Sequence, residues 1–257
     1  MRLNLEKHHA LDVYSFTNTK AYSPISTLSK EVIEGVFEFA YGMSFEGQGH
    51  HRNHRTGGID RRRNGQKFAD TFQGKLAEFA LRNYFITNNL EVAEPDTEMY
   101  EEGVWDTSDF EYKDIKIAVK STKSFGQLML LESEDWNDKG LYIPNLGTGN
   151  ELFDYFILLR IHPFTQSILS TNRCLLNDTI DKDNLKEIIM QQEYSYDIPG
   201  YISHNNLVQI IENDYFIPQG AFLNRIDDRN KMDADNYYFQ AGFMHPTDRL
   251  INRLKDL

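Results

Sequence analysis

Cysteine is almost missing from this chain, and Cys174 is the only one in 257 residues. An internal disulfide is therefore excluded, as is a zinc site built from several cysteines, and a reducing cytoplasm is the expected compartment. No run of about 18 apolar residues occurs, so no membrane-spanning helix is predicted. The opening stretch MRLNLEKHHALD lacks the apolar core of a signal peptide. No low-complexity linker and no internal repeat divide the chain, which suits one domain over 1–257. Positive charge is scarce too. Lysine and arginine number 27 against 39 acids, a net charge of −12, which excludes a protein that coats nucleic acid over its whole surface. A local basic groove on an acidic body is compatible with that balance, because steering depends on where charge lies. Apolar side chains, by contrast, are plentiful. They make up 40% of residues, with 13% aromatic, enough for a packed core and too many for wholesale disorder.

The stretch that organises the rest is Asp109 to Lys123, DFEYKDIKIAVKSTK. It reads as a β-hairpin. Asp109-Phe110-Glu111-Tyr112 alternates polar and apolar, Lys113-Asp114 can turn, and Ile115, Ile117 and Val119 recur with period two. That period puts Lys116, position 118 and Lys120 together on the opposite face. A lysine on such a face, beside acids from the partner strand, is a way to build a metal site for phosphoryl transfer. An acid on the first strand can bind a hard divalent cation, a second acid two residues before the lysine can share it, and the lysine can polarise the attacking water.

The order Asp, short hairpin, apolar strand, then Lys120-Ser121-Thr122-Lys123 resembles the core of PD-(D/E)XK nucleases, type II restriction endonucleases especially. The chain departs from that pattern at one place. The family puts Asp or Glu two residues before the lysine, and here Ala118 stands there. Either the acid has been removed, by engineering or by natural decay, or the second carboxylate comes from elsewhere. The sequence reading favours an engineered Asp/Glu→Ala change, because the residues around the gap still fit. On that reading the present chain cuts little, and restoring an acid at 118 restores cleavage.

The resemblance implies an α/β fold with a mixed central β-sheet flanked by helices. A restriction-endonuclease-like core would cover about 66–161, after an N-terminal helix and basic loop over 27–65 and before an α+β C-terminal extension over about 162–257. It implies Mg²⁺, with Mn²⁺ able to substitute, and in-line hydrolysis of double-stranded DNA at a specific sequence. Asp109 would hold the metal, with Glu78 of the preceding helix as its second ligand, and Lys120 would orient the nucleophile. Lys123 and Gln127 could face the scissile phosphate. A homodimer, a cognate DNA methyltransferase and a bacterial or archaeal cytoplasm follow from the same resemblance. The rival expectation is a naturally inactive, non-catalytic DNA-binding or regulatory protein on the same fold.

A second stretch, SFEGQGHHRNHRTGGIDRRRNG over 44–65, is rich in glycine, so its backbone can approach a ligand closely. Between His50 and Arg63, Arg52, Arg55, Arg61, Arg62 and Arg63 stand against Asp60 alone, a local charge of +4. As a bare charge run this is a solvated loop. Beside the hairpin it reads as a DNA contact, since arginine's planar fork suits phosphate oxygens and guanine edges, and His54 adds a donor. His50 and His54, four apart, also permit a metal site, though no third ligand lies nearby.

The remaining expectations are structural. Ser26 or Thr27 caps a helix to about Met43 with Val32, Val36, Phe39, Ala40 and Met43 on one stripe. Residues 66–89 form a long helix, apolar on two sides, on which Glu78 needs a partner; a salt bridge competes there with the metal role. Asp106 competes with Asp109, and Glu111 is a possible replacement ligand. Residues 1–26 read as a loop or arm, and 128–135 as strand or short helix. Tyr155 to Ile161 reads as a central strand covered on both faces. Short helices are expected over Asp183 to Gln191 and, capped by Ser203, Asn205 to Asn213. Asn236 to Gln240 gives a last strand and Thr247 caps a closing helix.

Overall fold

In the computed structural model the described residues are 1–47, 62–97 and 110–257. They begin with a hairpin, β1 (Asn4–His8) and β2 (Leu11–Ser15), followed by β3 (Ser26–Thr27), α1 (Lys30–Phe45) and α2 (Asn64–Thr87). Next come β4 (Phe110–Tyr112), β5 (Ile115–Lys123), β6 (Leu128–Glu132), β7 (Tyr155–His162), α3 (Thr165–Thr171) and α4 (Lys182–Met190). The chain closes through β8 (Ser195–Ser203), α5 (His204–Glu212), β9 (Phe216–Ile217), β10 (Phe222–Leu223), β11 (Asn236–Gln240) and α6 (Thr247–Lys255). This is a mixed α/β fold. None of the described helices is long and apolar enough to cross a membrane.

The central sheet has five strands in the order β3-β8-β7-β5-β4. β5 and β7 run parallel and the other pairs antiparallel, so the sheet is mixed, as expected. β7 is buried at every residue from Tyr155 to Ile161, because both faces are covered. On one face Ile157, Leu159 and Ile161 meet Phe68, Phe72 and Leu76 of α2 and the stripe of α1. On the other, Phe156 and Leu158 meet Met129 and Leu131 of β6, Phe239 of β11 and Leu207 and Ile210 of α5. Each large side chain so buried contributes roughly 1.5–3 kcal/mol.

Several expectations change. Ser26 and Thr27 do not cap α1; they pair with Tyr196 and Ser195 of β8, and the Val32 amide donates to Ser29 Oγ at 3.4 Å. Buried Leu28 fixes this later start. The inner stripe of α1 is Ile33, Val36, Phe37, Ala40 and Tyr41, because Phe37 and Tyr41 pack against α2's Phe68 side, leaving Val32, Phe39 and Met43 half-buried. Ser29→Ala should therefore cost about 1 kcal/mol in urea unfolding. Ser26→Ala, which removes no cap, should cost clearly less, and equal losses would place the cap wrongly. Thr247 is the first helical residue of α6, after Pro246.

The stretch 162–257 is not an appendage. β8 sits inside the central sheet, so the core drawn at 66–161 holds only three of its five strands. The N-terminal arm is tied in as well. Arg160, fully buried on β7, donates from Nε to Asp197 Oδ1 at 2.8 Å and from its Nη atoms to the carbonyls of Lys20 and Ala21 at 2.7 and 2.8 Å. The pair is desolvated but fully hydrogen-bonded, which is what a buried ion pair requires. It holds residues 20–23 against the sheet, since the Ser23 amide also donates to Asp197 Oδ2 at 2.9 Å.

Candidate functional site

The hairpin register is the expected one. Phe110 pairs with Ile117 and Tyr112 with Ile115, and Lys113 takes the left-handed conformation (φ 53°) that a tight turn needs. β4 reaches no further than Ile117, so among the described residues β5 is paired from Ala118 to Lys123 only by β7. No second strand among the described residues lies along that stretch. A cleft of about 760 Å³ lies against it. Lys120, Lys123 and the turn at Phe125 and Gly126 line it, with Asp70 and Gln73 of α2, Leu128 and Leu130 to Glu132 of β6, and Asn224, Asn230, Lys231 and Asp233. The turn is close-fitting: a Cβ on Gly126 would stand 2.9 Å from the Lys123 carbonyl oxygen and closer still to the Thr122 side chain.

Lys120 lines this cleft, and no carboxylate among the described residues is found paired with its ammonium. Lys123 lines it too, with Nζ 4.6 Å from the Phe125 ring centroid, and partial burial pulls its pKa below the ordinary lysine value. Arg62 is in the cleft wall and pairs with Asp70 at 3.1 Å. Arg63 is not; at the start of α2 it pairs with Asp178 at 2.6 Å. Gln127 lines the cleft, but its amide is engaged at both ends by the backbone of Lys20, accepting at 2.8 Å and donating at 3.0 Å. It anchors the arm instead of offering itself to a phosphate. Asp109, Arg52, His54, Arg55 and Arg61 lie outside the described residues, as do His50 and Asp106.

Two expected members of the metal site stand elsewhere. Glu78 takes the salt bridge: Lys75 Nζ is 2.6 Å from its Oε2, and that ammonium also lies 5.2 Å from the Phe39 ring of α1. Glu78 is absent from the cleft lining, which α2 reaches only through Asp70 and Gln73, more than a turn closer to the helix N-terminus. Ala118 shares Lys120's face as predicted, but the side chain is 2% exposed among Met129, Leu131, Trp136 and Phe156. The face opposite Ile117 is thus a second core at 118 and becomes a polar cleft only at Lys120. Glu111 is exposed opposite Lys116, whose ammonium reaches the Gly149 carbonyl at 3.0 Å.

The carboxylates that share the cleft with Lys120 are Asp70, Glu132, Asp135 and Asp233. They balance Arg62, Lys120, Lys123 and Lys231, so the described lining residues are formally neutral in a chain of −12. Asp70 is held by Arg62 and by Gln166 Nε2, which donates to it at 2.7 Å. Glu132 and Asp135 were legible only as acids closing an apolar run, without a cue that they line a cleft. Among the described residues no three or more His, Cys, Asp or Glu groups are placed to hold a metal ion together. With Glu78 paired and 118 packed, these residues do not by themselves fit the expected Mg²⁺ site. Set against protein-family models, curated proteins and solved structures, the chain matches none.

Proposed function

We propose that the cleft binds the phosphate backbone of double-stranded DNA and that the chain is an endonuclease of the type II restriction class. The observation that carries this reading is that two lysines of β5, Lys120 and Lys123, line one cleft, and that no carboxylate among the described residues is paired with Lys120. Both ammonium groups can meet phosphate oxygens, and Lys120 can offset charge that develops on the phosphodiester in the transition state. The tight packing of Ala118 supports an enzyme that works with alanine at this position, and gives no support to a ligand removed from it. The divalent ion, the homodimer, the cognate methyltransferase and the bacterial or archaeal cytoplasm belong to the same proposal. So does the arginine-rich stretch as a DNA contact. The non-catalytic DNA-binding protein is the second reading; it keeps the lysines of the cleft and needs no metal.

One experiment separates them. The unchanged chain is mixed with supercoiled mixed-sequence plasmid, with and without Mg²⁺, and both retention and products are followed over a salt series. Discrete Mg²⁺-dependent linear products are expected, with affinity that falls steeply as salt rises. Retention without cutting selects the second reading. Absence of retention even at low salt removes DNA from both.

A further inference from the structure

Among the described residues six carboxamide side chains line the cleft, and they differ in what they already bond. Gln73 accepts from Thr165 Oγ1 at 2.9 Å, Gln127 grips Lys20, Gln166 donates to Asp70, and Asn236 Nδ2 donates to the Ala234 carbonyl at 2.9 Å. These four are structural. Asn224 and Asn230 have no side-chain hydrogen bond among the described residues. Asn224 has a conformational reason to be asparagine, since its φ is 62°. Asn230 has no such reason, for its φ is not positive. It is half-buried, and Lys231 follows it without a side-chain partner among the described residues.

The backbone holds this pair firmly. The Asn230 amide donates to the Asp227 carbonyl at 2.8 Å, Lys231 bridges antiparallel to Phe222, and the Met232 amide donates to the Ala221 carbonyl at 2.8 Å. The excursion from β10 is therefore pinned at its base, and its polar residues Asn224, Asn230 and Lys231 line the same cleft as the lysines of β5.

We propose that Asn230, with Lys231 beside it, reads base edges of a duplex whose backbone rests on Lys120 and Lys123. This inference rests on the DNA reading above and adds the element that selects the sequence. An asparagine amide can donate and accept at once, matching the adenine N6/N7 edge, and a lysine matches guanine O6/N7. The β5 lysines offer charge alone, which every duplex satisfies equally.

The test is enrichment from a pool of randomised duplexes, with Mg²⁺ omitted, by the wild-type protein and by Asn230→Ala, Asn230→Asp and Lys123→Ala. Wild type should enrich a consensus. Asn230→Ala should relax it at one base pair by about tenfold while holding non-consensus duplex as before. Asn230→Asp, equal in size but without the donor, should change the preferred base at that pair. Lys123→Ala should weaken all duplexes alike and reduce the salt slope by about one. A consensus unchanged in both Asn230 variants would overturn the proposal. So would a wild type that retains duplex without any consensus, an outcome that leaves the DNA reading standing. No retention of any duplex would remove both.

Discussion

Lys120→Ala should slow single-turnover DNA cleavage by at least about a hundredfold while duplex affinity changes by less than about tenfold, or 1.4 kcal/mol. The asymmetry follows from where the side chain stands. It stands on β5 opposite Leu158 of β7 and lines the cleft. There its charge is worth most when the phosphodiester gains charge, which is a transition-state interaction and so enters the rate more than the binding. Lys123 is the internal comparison. Its ammonium is held over Phe125 and partly desolvated, a position suited to ground-state contact. Lys123→Ala should weaken binding and leave the rate of bound complex within about tenfold. Lys120→Arg keeps the charge but moves it on a longer, planar head, and should rescue affinity better than rate. Stopped-flow anisotropy and quenched-flow cleavage on one duplex measure both quantities. A Lys120→Ala protein that binds normally and cuts nearly as fast as its parent would show Lys120 to be a solvated strand residue.

The same hairpin marks how far the sequence could be read. Its turn, its register and the alternation of β5 were legible because each depends on neighbours within about a dozen residues. β7 was legible because its apolar run has no polar side to show. The first hairpin was not, since β1 is exposed at all five residues and carries no alternation to detect. What covers each face of β5 was equally hidden. Alternation says that Ala118 and Lys120 share a side, but the residues packed around Ala118 come from β6, from Trp136 after it and from β7. Gln127 looked available for the same reason, its partner Lys20 being 107 positions away. Glu78 is a different case. Its partner Lys75 lies three residues earlier on the same helix, where an ion pair is local, so the sequence did hold that alternative to a metal role.

Ala118→Asp should destabilise the protein by at least about 3 kcal/mol and should not enhance cleavage. Alanine at this position is 2% exposed, and its methyl group meets Met129, Leu131, Trp136 and Phe156, none of which offers a carboxylate a cation. The cation on the same face, Lys120, lines the cleft instead of this core, so an acid placed at 118 must either stay ionised among apolar side chains or take up a proton, and either form loses the hydrogen bonds that water gave it. The loss is a large part of the 5–15 kcal/mol that typically holds a domain folded. Its pH dependence identifies the cause. Burial raises the folded-state pKa of the new carboxyl above the unfolded value of about 3.9. Below that value both states are protonated and the deficit is smallest. As pH rises through the window up to the folded pKa, the unfolded chain ionises first and the deficit grows. A metal-ligand position would behave otherwise, gaining stability from added Mg²⁺ at neutral pH. Ala118→Val separates charge from size, since overpacking alone costs about 1–3 kcal/mol and brings no such pH dependence. Urea unfolding at pH 5 and pH 8, with and without Mg²⁺, reads all of these. An Ala118→Asp protein as stable as its parent, stabilised by Mg²⁺ and newly able to cut plasmid, would make 118 a vacated ligand position and the apolar packing around it incidental.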